Sequence, residues 1–158
     1  MGVATRTNQD NRRIHLVDIE NVCGDARPGQ SDVRAMQKRY EDLVNPGPDD
    51  LVVVACNHGA ALEVGLGWPG ARLLVRSGIN GADQALLGVI EHEGIELRFA
   101  GVVIASADGI FTEAASFLAG CGLSVTVVSR ERALSRRLRL AVACVCTFTA
   151  AEFDQDAA

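Results

Sequence analysis

Residues 13–22 read RIHLVDIENV. An apolar run suited to a buried strand is closed by Asp18 and followed by Glu20 and Asn21. An acid at that point gives no folding advantage, because an unpaired carboxylate withdrawn from water is costly. The position therefore asks for a chemical reason, and the rest of the chain supplies a setting for one.

Five further runs rich in Val, Ile and Leu have the character of strands: LVVVACN (51–57), ARLLVRS (71–77), VVIAS (102–106), LSVTVVS (123–129) and AVACVCTF (141–148). Between them lie helical patterns, SDVRAMQKRYEDLV (31–44), HGAALEVGL (58–66), GADQALLGVIEHEG (81–94), GIFTEAASFLAGCG (109–122) and ALSRRLRL (133–140). Strands that are apolar on both faces and joined by helices predict an α/β protein with a parallel sheet covered on each side. With 158 residues, 48% hydrophobic, the chain has room for one domain, expected over 13–150 between polar tails at 1–12 and 151–158. Aromatic residues make up only 4%, so aliphatic and alanine packing must fill the core.

No segment approaches the roughly 20 apolar residues of a membrane helix, and MGVATRTNQDNRR has no apolar signal core, so a soluble cytoplasmic protein is expected. Five cysteines without CxxC spacing suggest neither disulfides nor a zinc site. Cys144 and Cys146 alternate along one strand face, which predicts core filling for both. The net charge is −5, but it is unevenly distributed. RERALSRRLR (130–139) holds five of the 15 basic residues and one acid, a local charge of +4; ten basic and 19 acidic residues, −9, remain elsewhere. Such sorting offers a surface to an anionic partner.

In an open parallel sheet the ligand crevice lies beyond the carboxyl ends of the strands, at the point where strand order reverses. Asp18 ends the first strand, Asp108 follows VVIASA, and Asp83 lies in the first turn of the helix after ARLLVRS. All three belong to one sheet edge. Two carboxylates ~6 Å apart at an effective dielectric of ~20 repel by roughly 3 kcal/mol, so three together need a proton or a divalent cation between them. Hard oxygen ligands favour Mg²⁺ or Mn²⁺, and a cation so held suits phosphodiester hydrolysis. Each acid also has a structural reading. Asp83 follows Asn80 at capping-box spacing, Asp108 precedes Gly109 as a helix-start cap, and Asn21 is either a turn residue or an amide that holds Asp18 or a water. Glu20 is expected to face solvent.

DIEN (18–21), GAD followed by LL (81–87), and SADGIF (106–111) followed by a helix and LSVTVVS resemble the NYN domain of the PIN-like nuclease superfamily, over about residues 13–150. The resemblance implies a three-layer α/β/α sandwich, a Mg²⁺ or Mn²⁺ site at the carboxyl ends of the strands, and ribonuclease activity or RNA processing. It also implies catalytic positions: Asp18, Asn21, Asp83, Ser106 and Asp108, with Asp18, Asp83 and Asp108 as metal ligands. Two departures stand out. The second acid of the family's last motif falls on Ile110, and an acid expected further into the middle helix falls near Val89 and Ile90, with Glu91 rotated about 100° from Ile90. Glu91 and Glu113 are the auxiliary acids that could complete the set.

Arg132, Arg136 and Arg139 fall at i, i+4 and i+7, a basic stripe opposite Leu134, Leu138 and Ala141 on the predicted helix. It reads either as an ordinary solvated face or as an RNA-phosphate contact beside the acids. His58 opens a helix near the same edge, where local hydrogen bonding suffices to explain it. GLGWPGAR (65–72) follows a helix, so it lacks the strand–loop–helix setting of a phosphate cradle. The expected function is a metal-dependent ribonuclease acting on single-stranded or structured RNA. A non-catalytic RNA-binding adaptor and a nucleotide-binding α/β domain are its competitors, and a homodimer or protein partner stays open.

Overall fold

The first strand, β1 (Arg13–Asp18), lies in the middle of the sheet in the computed structural model, which describes residues 11–149. It is followed by α1 (Ile19–Cys23), α2 (Gln30–Val44), β2 (Leu51–Cys56), a 3₁₀ turn (His58–Ala60) and α3 (Ala61–Gly67). Next come β3 (Arg72–Val75), α4 (Gly81–His92), α5 (Ile95–Arg98), β4 (Gly101–Ala105) and a second 3₁₀ turn (Gly109–Phe111). The chain continues through α6 (Thr112–Gly120), β5 (Ser124–Arg130), α7 (Arg136–Ala141) and β6 (Cys144–Phe148). All six strands are parallel, in the order β3-β2-β1-β4-β5-β6. Order reverses between β1 and β4, the doubly wound arrangement whose crevice lies at that junction.

Strand alternation divides the core into two layers. Ile14, Leu16, Val53, Ala55, Val102 and Ile104 pack on one face with Leu86, Val89 and Ile90 of α4 and Ala115 and Leu118 of α6. Val17, Val54, Cys56, Val103 and Ala105 pack on the other with Val33, Met36 and Tyr40 of α2 and Val64 of α3. The protein is thus an α/β sandwich with a parallel sheet between two helical layers, as the alternation of patterns predicted.

Several boundaries differ from the sequence reading. Ile19 opens a helix instead of extending β1, because Asp18 accepts from the Asn21 N–H and caps it. α7 starts only at Arg136, and Ala141 belongs to it instead of to β6. β6 is an edge strand whose cover ends with this short helix, so Cys144 is exposed and Cys146 half-buried, not the expected core pair. All five cysteines are unbonded, and burial pushes the Cys23 thiol up to about 12 and the Cys56 thiol up to about 11. Arg12, assigned to the tail, is anchored: its carbonyl accepts from Ala100 N at 2.9 Å and its guanidinium stacks 4.4 Å from the Phe99 ring. The expected tails at 1–10 and 151–158, and Ala150, lie outside the described residues. Among the described residues no helix is long and apolar enough to cross a membrane.

His15 is fully buried toward the amino edge of β1. Burial lowers its pKa, so the ring is neutral; Nε2–H donates to Asp50 at 2.8 Å, and Nδ1 accepts from the Tyr40 hydroxyl at 2.6 Å. Asp50 also accepts from Arg13 N at 2.8 Å, Arg13 Nε at 3.2 Å and Gly47 N at 3.0 Å. This network ties β1, α2 and the turn before β2 together at the edge remote from the acids.

Candidate functional site

Asp18 sits at the carboxyl end of β1, and strand alternation turns it toward the α4 side of the sheet. Asp83 is the third residue of α4, and the two side chains are hydrogen-bonded to each other. Both are almost fully buried, at 6% and 5% exposed, which is rare for unpaired carboxylates. Two carboxylate oxygens make such a bond only by sharing a proton. The pKa values assign it: burial, then the Asp18 bond and charge and the Asp108 charge, push Asp83 up to about 8. Asp18 is also raised by burial, although the bonds from Asp83 and from Asn21 N oppose the rise. At neutral pH, Asp83 holds the proton and Asp18 accepts it. Asp83 Oδ1 is buried, and its hydrogen-bonding neighbours are the other carboxyl groups alone.

Asp108 lies past β4 and caps its 3₁₀ turn, Oδ1 accepting from Ile110 N at 3.0 Å. The buried Ser106 hydroxyl accepts from Asp108 N at 3.2 Å, and Asn21 Oδ1 accepts from Ala107 N at 3.0 Å. Asn21 Oδ1 thereby joins the ends of β1 and β4 across the switch point. Asp108 is both cap and crevice wall. Asn80 makes no side-chain cap bond, so Asp83 is not half of a capping box.

These acids line one crevice of about 310 Å³ together with Glu20, Asn57 and Arg76. Glu20, expected to face solvent, belongs to the crevice wall. With the helix starting at Ile19, Glu20 swings toward β2, and Oε1 accepts from Asn57 N at 2.5 Å. Burial raises its pKa, opposed by the Asn57 N–H. The signal was present in the sequence: Asp18 followed three residues later by Asn21 is a helix-start spacing. Nothing in the sequence marked Asn57 or Arg76. Among the described residues no three His, Cys, Asp or Glu side chains stand preformed around one metal position.

Gly81, the first residue of α4, is where the main chain comes closest. A Cβ there would meet the Arg76 carbonyl oxygen at 2.4 Å and its carbon at 2.9 Å. Gly81→Ala must therefore displace backbone two residues before Asp83. We expect it to cost about 1–3 kcal/mol, measured by denaturant unfolding.

Glu91 and Glu113 do not join the crevice. They are exposed and line a separate hollow of about 640 Å³ between α4 and α6, with Glu96, Ile110 and Phe117. The basic stripe is shorter than expected. Arg132 lies in the turn before α7 with a left-handed φ of 67°, so only Arg136 and Arg139 share the helix. The turn does run beside the acids: Ser135 N donates to the Ala107 carbonyl at 2.9 Å, next to Asp108. His58 is satisfied locally, its Nδ1 2.7 Å from Ser77 Oγ.

No known family profile matches the chain, and no curated protein matches it. The chain is similar to a crystal structure of a protein of unknown function from Vibrio parahaemolyticus, at 14% identity and a TM-score of 0.58. The match covers 91% of this chain and 96% of that one. Identity this low speaks for the fold alone, and the shared fold is the doubly wound parallel sandwich described above.

Proposed function

We propose that the chain is a metal-dependent ribonuclease or RNA-processing domain of the PIN-like NYN type, with a catalytic crevice formed by Asp18, Asp83 and Asp108. The observation that carries this reading is the buried, proton-sharing Asp18–Asp83 pair beside Asp108 at the strand-order switch point. Buried like charges are destabilising unless they serve a ligand or a reaction. The donor set is all carboxylate, the chemistry that fits one Mg²⁺ or Mn²⁺. When bound, that cation supplies Lewis-acid polarisation of the phosphodiester and activation of the attacking water.

The chain's own residues do the positioning. Asn21 N–H holds one Asp18 oxygen, the Asn21 amide fixes Ala107, and Ser106 fixes the Asp108 backbone, so the two strand ends keep a constant separation. Asp83 would hold a cation as the carboxylate, its proton released to solvent. Glu20, clamped by Asn57 N–H, adds a further acceptor to the wall for a water or a ribose hydroxyl. Arg76 is the cation among the crevice residues and suits an RNA phosphate.

Arg132, Arg136 and Arg139 extend this surface for RNA beside the Asp108 turn. Arg136→Ala and Arg139→Ala are each expected to weaken RNA binding uniformly across sequences and to lower the salt slope by about 1, read by titration at several salt concentrations. Reduced thiols and the absence of a membrane-crossing helix among the described residues agree with a cytoplasmic setting. One observation favours a second reading, an RNA-binding domain without turnover: Ile110 takes the place of an acid and lines the other hollow. Incubating labelled single-stranded and structured RNAs with Mg²⁺, Mn²⁺ or EDTA separates the two. Cleavage supports the nuclease; salt-sensitive binding without cleavage at any metal concentration supports the binder.

A further inference from the structure

The hollow between α4 and α6 plays no part in the proposed chemistry. Its floor is apolar, formed by Leu87, Ile90, Ile110 and Ala114, with Phe117 52% exposed at its side. Its rim carries Glu91, Glu96 and Glu113. Among the described residues none of the three is paired with an arginine or lysine, and Glu96 Oε2 is buried with no hydrogen-bond partner. An apolar trough edged by uncompensated acids calls for an occupant that is apolar in the middle and basic at its margins.

The same face of the sheet carries that complement. Leu138 of α7 is fully buried in the core layer shared by α4 and α6, so the three helices lie on one side. Leu140, about 160° around α7 from Leu138, is 77% exposed. Arg137, three residues before Leu140, shares its outer face. RNA phosphates would use the arginine but gain nothing from the leucine.

We propose that a second copy of this chain occupies the hollow: Arg137 and Leu140 of one protomer dock between the glutamates and Phe117 of its partner. The acidic trough lies on the α4 side of α6 and α7 packs on its other side, so a two-fold axis running parallel to α6 just outside its exposed face brings each to the other. The contact is then made twice, and the dimer is closed and isologous. This proposal is independent of the nuclease reading, and its test needs no RNA or metal.

The test is sedimentation equilibrium of the full chain at low and high salt, with the exposed-site variants Glu113→Arg and Arg137→Glu, folding being checked by circular dichroism. The wild type is expected to dimerise, with weaker association at high salt, and each variant alone is expected to dissociate at least tenfold more readily. An equimolar mixture of the two variants is expected to recover dimers, since each contact then pairs one arginine with one glutamate. A monomeric wild type at low salt, a dimer insensitive to both reversals, or a mixture that stays monomeric would overturn the proposal.

Discussion

Asp83→Asn is expected to stabilise the metal-free protein at pH 8 by about 1–3 kcal/mol, a rise in melting temperature of roughly 3–10 °C for a chain of this length. Asp83 in the folded protein has its pKa near 8, above the 3.8 of an ordinary aspartate, so the folded state holds a proton that the unfolded chain has released. That contribution is fully present below about pH 4 and is lost as pH rises through 8. An asparagine mimics the protonated carboxyl at every pH, because its amide can donate to Asp18 as the shared proton does. The substitution should be near neutral at pH 4 and most stabilising at pH 8. It should also remove most of the thermal shift that millimolar Mg²⁺ or Mn²⁺ gives the wild type, a shift expected to grow from pH 6 to pH 8 as the shared proton becomes easier to displace. Thermal melts at four pH values with and without metal check both statements. Equal destabilisation at pH 4 and pH 8 would remove the basis for a strained acid pair.

The opposite effect is expected at the other edge of the sheet. Asp50→Ala should cost about 3–5 kcal/mol, because it leaves the buried His15 N–H and two main-chain N–H groups, of Arg13 and Gly47, without their acceptor. Burial alone would raise the Asp50 pKa, yet the bonds from His15, Arg13 N and Gly47 N together hold it below the usual carboxylate value. Its stabilising contribution is present above about pH 4 and is lost as pH falls through the lowered value. His15 acts in the same direction at higher pH: burial lowers its pKa, so the unfolded chain takes up a proton first as pH drops below about 6.5. Denaturant unfolding at pH 3, pH 5 and pH 7 measures both. The metal-dependent shift should survive in Asp50→Ala, because this network is remote from the crevice.

The sheet was legible because its strands are short, β-branched and apolar on both faces, which is the pattern that burial from both sides demands. Asp18 was legible for the converse reason: it is the residue in RIHLVD that burial alone does not explain. What failed were readings that carried one periodicity past its end. A strand carried through DIEN missed the helix that takes Glu20 to Asn57, and a 3.6-residue period continued back to Arg132 ignored a turn in which that arginine takes a left-handed φ of 67°. Asn80 takes the left-handed conformation too, φ 56°, which defeats the capping box that its spacing suggested. The short helix α5 was missed because IELR carries too few residues for any period to register. Asn57 and Arg76 reach the crevice only through pairing of β2 with β1 and of β3 with β2, a long-range fact that no local window contains.

The central claim is that the acids at the switch point serve phosphodiester chemistry. The most direct measurement is cleavage of labelled single-stranded and structured RNAs by the purified protein with Mg²⁺, Mn²⁺ or EDTA, beside Asp18→Asn and Asp108→Asn. Metal-dependent cleavage by the wild type, abolished by EDTA and lost in both variants, is the predicted result. Cleavage that persists in both variants, or a wild type inactive on every RNA with either metal, would contradict it.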